Sequence, residues 1–376
     1  MEGEDSKWSN GPYQESSYKY IFQRRSVMNE QKLRVGNIGL GRMSFVYNHA
    51  LQQVKDMCEL YAVCDVIEEK VNARLKRGIW KKGYTDYHDL CQDPNVDVIL
   101  ITVPHAGIPE VEDPHYEVAK AALQNKKHVL VEKPMTVTEV HARELIDIAK
   151  KNEVKFTTAE NTRFVPGYME AARLVEDGTL GDILFVRTEI DGSSIEELHN
   201  RENWLGKKPN GGVILDMGVH TFYLLKWIFD GVTDISAFSH KIIPEAELED
   251  NGVFTGHLKK GTYFLSTVST IAKVPWTERL EIYGSKAALI VDHLLDPTAV
   301  LYIGPDEKIE RKPLETVPYE PQMWKWKSML AEVVDFLEAV RDDRNPQISA
   351  EDGLYAVKLA EAAYESARTG HTVPVE

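Results

Sequence analysis

The chain has 376 residues, 43% of them hydrophobic, and a formal net charge of −15. That length exceeds what one hydrophobic core ordinarily organises, so two domains are expected. The acidic balance without a basic block speaks against a nucleic-acid partner, and the lack of an apolar run of about 18 residues speaks against a membrane role.

Residues 1–30 are expected to be an N-terminal extension. Residues 1–27 are polar and lack the apolar segment of a signal peptide, and the stretch from Met28 reads like the start of a strand-first domain. An inert terminus, an arm onto a partner subunit and a mis-chosen start all fit. Cys58, Cys64 and Cys91 show no CxxC spacing and cannot all pair, which points to a reducing compartment and a cytoplasmic location.

From Leu33 the strands "LRVGNIG", "LYAVCD", "VDVILITV", "KHVLVE" and "VKFTTA" alternate with amphipathic helices. That grammar predicts a doubly wound α/β domain with a parallel sheet, a Rossmann domain over residues 31–156. Asp113 is placed to cap the helix opened by Pro114, and Thr138 to cap the next.

The first strand runs into "GLGRMS", with Gly39 and Gly41 at the first two glycine positions of G-x-G-x-x-G and Ser44 at the third. Glycines that follow a strand and open a helix leave backbone N–H groups and a helix N-terminus free to hold a pyrophosphate. Arg42 and Met43 lie inside this loop. Asp65 ends the second strand, where an acid bonds ribose hydroxyls and repels a 2'-phosphate, so NAD is favoured over NADP. The competing reading is a sterically required glycine turn beside a solvated aspartate. At later strand ends, Pro104, His115, Glu132 and Lys133 complete the expected cofactor contacts.

Past residue 156 the strands "ILFVRTEI", "VFTGHL", "TYFLSTVSTI", "RLEIYG" and "AALIVD" follow one another with turns between. Residues 157–376 are therefore expected to form an α+β domain with a large, mostly antiparallel open sheet. One helix, "MGVHTFYLLKWIF", interrupts the strands and stops near Gly231. Two helices close the chain, the second opened by a Ser349–Asp352 capping box.

Three stretches carry the chemistry: "VLVEKP" at 129–134, "ENTRFVP" at 160–166 and "GGVILDMGVH" at 211–220. Together with the Rossmann start and the terminal "AEDGLYAVKLAEAAYESARTG", they resemble the glucose-fructose oxidoreductase and inositol dehydrogenase family, Gfo/Idh/MocA, from about Leu33 to Val375. The resemblance implies a pyridine-nucleotide oxidoreductase of sugars or cyclitols, with Lys133, Asp216 and His220 lining the pocket where substrate meets nicotinamide. It further implies substrate contacts from Asn161, Arg163 and Trp204, a cis Lys133–Pro134 peptide, and a homodimer or homotetramer built through the open sheet.

The chemistry can be reasoned independently. Removing hydride from an alcohol carbon requires the hydroxyl proton to leave, and that hydroxyl has a pKa of about 15 against about 6.5 for histidine. The gap corresponds to about 12 kcal/mol, too much for a base alone. An ammonium at the oxygen stabilises the developing alkoxide, so Lys133 and His220 have complementary tasks. Asp216, one turn earlier, is expected to orient the imidazole.

Each residue has a plainer role open to it. Lys133 can be a surface lysine, Asp216 the cap of a helix beginning at Met217, and His220 a core histidine sharing a face with Leu224 and Trp227. Glu132 is read as holding the turn. Arg163 can brace the domain junction. A metal bound by Asp216 and His220 lacks an evident third ligand.

Two departures from the family pattern bear on the substrate. "HAGIPEVED" intervenes between Pro104 and His115, leaving His105 as a rival match, and Tyr223 stands where relatives often carry an aspartate. The leading expectation is an NAD-dependent dehydrogenase of a secondary hydroxyl on a cyclitol, sugar or glycoside. An NAD-dependent glycosidase or epimerase using transient oxidation is the alternative, and a non-enzymatic nucleotide sensor a further one.

Overall fold

Six short strands build the nucleotide end: β1 (Leu33–Ile38), β2 (Cys58–Cys64), β3 (Lys82–Tyr84), β4 (Val98–Ile101), β5 (His128–Val131) and β6 (Phe156–Thr158), in the order β3-β2-β1-β4-β5-β6. Every pairing is parallel. The computed structural model describes residues 32–106, 111–200, 205, 207–208, 212–260, 262–292, 294, 298–305, 308–314 and 323–375. The expectations for residues 1–30 and Trp204 lie outside them.

Strands such as β4, buried at all four positions, can be uninterrupted Val, Ile and Leu because helices cover both faces of a parallel sheet. The connections are α1 (Arg42–Gln53), α2 (Glu68–Lys76), α3 (Tyr87–Gln92), α4 (Pro114–Gln124) and α5 (Glu139–Lys151). Asp113 accepts the Tyr116 N–H at 3.2 Å with Pro114 in the first turn, and Thr138 accepts the His141 N–H at 3.3 Å. The strand order reverses between β1 and β4, opening a crevice at the C-terminal edge of the sheet.

After β6 the chain makes a 3-10 turn, Asn161–Phe164, then α6 (Pro166–Glu176), β7 (Ile183–Asp191), α7 (Ile195–His199) and α8 (Val219–Phe229). The remaining strands are β8 (Asp234–His240), β9 (Asn251–His257), β10 (Tyr263–Ser269), β11 (Thr277–Gly284), β12 (Ala287–Asp292), β13 (Ala299–Ile303), β14 (Glu310–Pro313) and β15 (Val373–Pro374). They form an open sheet in the order β14-β13-β12-β11-β7-β10-β9-β8-β15, in which β7 and β10 run parallel and the other described pairings are antiparallel.

Alternation along these strands buries one face. Val186 and Ile190 of β7, Phe254 of β9 and Leu280 of β11 pack with Tyr168 of α6 and Phe222 of α8. The opposite face leaves Phe238, Val253 and Tyr263 exposed. α8 ends at Asp230, which is left-handed, with Gly231 also at positive φ.

The closing helices, α9 (Met323–Arg341) and α10 (Ala350–Thr369), return to the parallel sheet. Ala350 and Val357 join the core of Ile99, Val129 and Met135, and α10 opens with the Ser349–Asp352 capping box. No described helix is long and apolar enough to cross a membrane.

Candidate active site

β5 ends in Glu132, Lys133 and Pro134 at the C-terminal edge of the parallel sheet, and the Lys133–Pro134 peptide is cis. The turn is fixed from two directions. Glu132 Oε2 accepts the Lys133 N–H at 3.0 Å, and His115 spans the carbonyl oxygens of Pro134 and Val103 at 2.6 and 2.8 Å. His115 thus ties the ends of β4 and β5 together.

The Lys133 side chain crosses to Asp216, with Nζ 2.7 Å from both Oδ1 and the backbone carbonyl oxygen. Desolvation pulls the ammonium pKa down, but Asp216, with Glu132 and Glu160 farther off, more than offsets this and leaves it above the ordinary lysine value. Burial pushes the Asp216 carboxyl up, yet Lys133, with His105 and His220, brings it down to about 2. The two are therefore an ammonium and a carboxylate at neutral pH.

Asp216 does not cap a helix beginning at Met217. Residues Ile214–Gly218 are π-helical and run straight into α8, so Asp216 sits inside a continuous helical segment. Glu249 anchors its start: the backbone carbonyl accepts the Val213 N–H at 3.1 Å and Oε1 accepts the Ile214 N–H at 3.2 Å. A Cβ on Gly212 would overlap the Glu249 carboxylate and displace it from this anchoring position.

The expectation that Asp216 orients His220 is corrected by the same geometry. Asp216 is committed to Lys133 at 2.7 Å, and His220 is felt there only through its charge. His220 Nδ1 instead meets Glu160 Oε1 at 2.6 Å. Thr162 Oγ1 donates to that oxygen, also at 2.6 Å. Glu160 is nearly fully buried just past β6. It holds the ring tautomer with Nδ1 toward the carboxylate, leaving Nε2 without a partner among the described residues.

Glu160 opens the "ENTRFVP" stretch, yet the sequence reading assigns it no role. A strand-end carboxylate followed by a 3-10 turn was the available signal. Asn161 donates to Ser328 Oγ at 2.9 Å, and the Arg163 guanidinium lies 4.2 Å from the centre of the Trp227 ring. Both residues brace neighbouring helices. His105 is buried in the loop after β4 and its charge acts on Asp216, which makes it a second residue without an assigned role; His115 is the brace. Tyr223 is buried beside Trp227. Among the described residues, no group of three His, Cys, Asp or Glu side chains is arranged to hold a metal ion.

The nucleotide end of the crevice fits a dinucleotide. Gly39 has φ 89° and a Cβ there would overlap the backbone of Thr102 and Val103, while a Cβ on Gly41 would meet nothing within 4 Å. An open backbone cradle therefore sits at the start of α1, with Arg42 exposed and Met43 half-buried beside it. Ser44 turns inward to Asn37 Oδ1 at 2.5 Å, closing helix on strand. Asp65 ends β2 with Oδ2 accepting the Leu40 N–H at 2.8 Å and Oδ1 the Ile67 N–H at 3.0 Å. Pro104 is exposed at the end of β4, on the same edge as Lys133.

Comparison with known proteins agrees with this geometry. Residues 33–160 match the oxidoreductase family with an NAD-binding Rossmann fold, and residues 168–290 match the GFO/IDH/MocA C-terminal domain. The chain is 28% identical over 349 residues to a myo-inositol 2-dehydrogenase of Thermotoga maritima, covering 92% of this chain and 99% of that protein. It is 24% identical over 262 residues to an inositol 2-dehydrogenase/D-chiro-inositol 3-dehydrogenase of Lactiplantibacillus plantarum, covering 68% of this chain and 70% of the other. Among solved structures, levoglucosan dehydrogenase in complex with NADH and levoglucosan shares the fold, with a TM-score of 0.83 at 19% identity over 92% of this chain and all of that one (100%).

Proposed function

This chain belongs to the Gfo/Idh/MocA family of NAD-binding oxidoreductases, and from that premise we propose that it is a dehydrogenase of a secondary hydroxyl on a cyclitol or sugar. Bound NAD would supply the hydride acceptor. The cradle at Gly39, Gly41 and Arg42, with Asp65 at the ribose end, is the set of residues that would hold it.

The chain's own residues divide the remaining work. The Lys133 ammonium offers its charge to the substrate oxygen and stabilises the alkoxide that develops there. Asp216 keeps Lys133 protonated and aimed. His220 Nε2 takes the hydroxyl proton, and Glu160 stabilises the imidazolium that results. The observation that carries this reading is a half-buried Lys133–Asp216 ion pair and a buried His220–Glu160 hydrogen bond at the edge of a dinucleotide fold. Likeness to inositol dehydrogenases over nearly the whole chain supports the substrate class.

A crystal soaked with NAD and a panel of cyclitols and sugars tests the assignment. The reading expects one ring carbon against nicotinamide C4, with its hydroxyl within hydrogen-bond reach of both Lys133 and His220. A polyol bound with that hydroxyl turned away from both would overturn it. The exposed sheet face bearing Phe238, Val253 and Tyr263 supports, on the same reading, association of copies of the chain through that face.

A further inference from the structure

Around Lys133 and His220 lie three buried carboxyl groups and a phenol. Glu132 ends β5, Glu160 follows β6, Glu332 belongs to α9 and Tyr47 to α1, and all four are less than a tenth exposed. Tyr47 Oη is 2.8 Å from Glu332 Oε2, and Glu132 is near enough to the same phenol to help raise its pKa, behind burial as the largest cause. Glu332 Oε1 accepts the Glu160 backbone N–H at 2.6 Å. Glu132 Oε2 accepts the Lys133 N–H, while its Oε1 is buried without a hydrogen-bond partner.

One phenol proton cannot serve two carboxylates. With Glu332 ionised, Tyr47 donates to it and Glu132 Oε1 stays buried, charged and unbonded, a costly arrangement. With a proton on Glu332 Oε2, Glu332 donates to the Tyr47 oxygen and frees the Tyr47 hydroxyl proton for Glu132, whose Oε1 has no partner in the structure as it stands. The same proton removes one of three like charges from a low-dielectric interior.

We propose that Glu332 is a neutral carboxylic acid in the working protein and the positioning residue from which both arms of the site are held. One arm runs through Tyr47 and Glu132 to the Lys133 backbone. The other runs through the Glu160 N–H to the carboxylate that holds His220. Burial, reinforced by Glu132 and Glu160, pushes the Glu332 carboxyl well above the usual range, against the opposing bonds from Tyr47 and the Glu160 N–H. Tyr47, Glu132 and Glu160 are the titratable groups that face it, with Lys133 and His220 beyond them. The catalytic consequence rests on the dehydrogenase reading; the protonation state does not.

Infrared difference spectroscopy of the full-length protein against Glu332→Gln at neutral pH tests the protonation without turnover. The expected result is the carbonyl stretch of a protonated carboxyl, present in the wild type and lost in the variant; a carboxylate band lost instead overturns the proposal. The positioning role is read from kcat/KM against pH with NAD and a turned-over polyol. Glu332→Ala should lower kcat/KM by about tenfold or more, and Glu332→Gln, equal in shape and charge to the neutral acid, should restore most of it without moving the acid limb. A Gln variant no better than Ala, or one whose acid limb shifts as if a charge had gone, contradicts the account. If Glu332→Ala does not fold, the same shift is read from Glu332→Gln alone. A protein that shows the carboxyl band yet reduces no cofactor contradicts the dehydrogenase reading and supports the protonation.

Discussion

Lys133 and Asp216 lie 83 positions apart in sequence and meet at 2.7 Å, the end of a parallel strand joined to the middle of a π-helical turn. The contact gives the "EKP" motif its purpose: the strand delivers an ammonium to the crevice, and a carboxylate from the second half of the chain fixes its direction and its charge.

The pair has a pH signature. The Asp216 carboxyl falls to about 2 in the folded protein, below the unfolded value of about 3.9. Its contribution is therefore present above pH about 4 and is lost as pH falls toward 2, and it amounts to about 2–3 kcal/mol. Lys133 is shifted the other way, so its contribution is present below the unfolded lysine value and lost as pH rises through the folded one. Asp216→Asn should lower stability to denaturant at pH 7 and flatten its acid dependence, as measured by unfolding at pH 7 and pH 3.

Glu160→Gln removes the charge behind His220 while preserving its shape. We expect kcat/KM to fall by about a hundredfold or more, and the acid limb of its pH profile to move to lower pH, because the imidazolium loses its carboxylate. Affinity for NAD, measured by fluorescence titration, should change little, since the Glu160 carboxylate bonds His220 and Thr162 and no residue of the glycine cradle. An unmoved acid limb would assign the proton to another group.

Asp65 holds the Leu40 N–H of the glycine loop and, on the proposed reading, would also meet the ribose of bound NAD. Asp65→Ser should weaken NAD binding by about tenfold and narrow the preference over NADP, through loss of a charged hydrogen bond and of repulsion toward a 2'-phosphate. Parallel titrations with the two cofactors check both parts.

Gly212→Ala places a methyl against the Glu249 carboxylate that anchors the Asp216 segment. The expected cost is about 1–3 kcal/mol of stability, together with a fall in kcat/KM larger than any change in NAD affinity. Equal losses in both would mean that the whole fold, rather than the Asp216 turn, had given way.

Much of this architecture is written in local signals. Alternating strands and helices, the glycine loop before α1, the caps at Asp113, Thr138 and Ser349, and the period-two strands past residue 156 each follow from chemistry within a few residues. Short elements without such signals, such as β3 with three residues, are decided by their neighbours. The site divides along the same line. Lys133 and Asp216 stand out as charged residues in apolar surroundings, but the i, i+4 reading pairs Asp216 with His220, whereas each bonds a distant partner, Lys133 and Glu160. The partner of His220 comes from a strand end 60 positions earlier, and Glu332 from a helix 172 positions beyond Glu160. No spacing in the sequence encodes those contacts; they arise because α8 and α9 both pack on the 3-10 turn that follows Glu160.

The central claim is that Lys133 assists hydride removal from a cyclitol or sugar hydroxyl. Mixing the protein with NAD and a polyol panel, and following the absorbance of reduced nicotinamide, tests it most directly. The account predicts cofactor reduction with at least one cyclitol or sugar, and its loss by about a thousandfold or more in Lys133→Ala while NAD still binds. Full activity in Lys133→Ala, or no reduction across the panel by a wild-type protein shown to bind NAD, would contradict it.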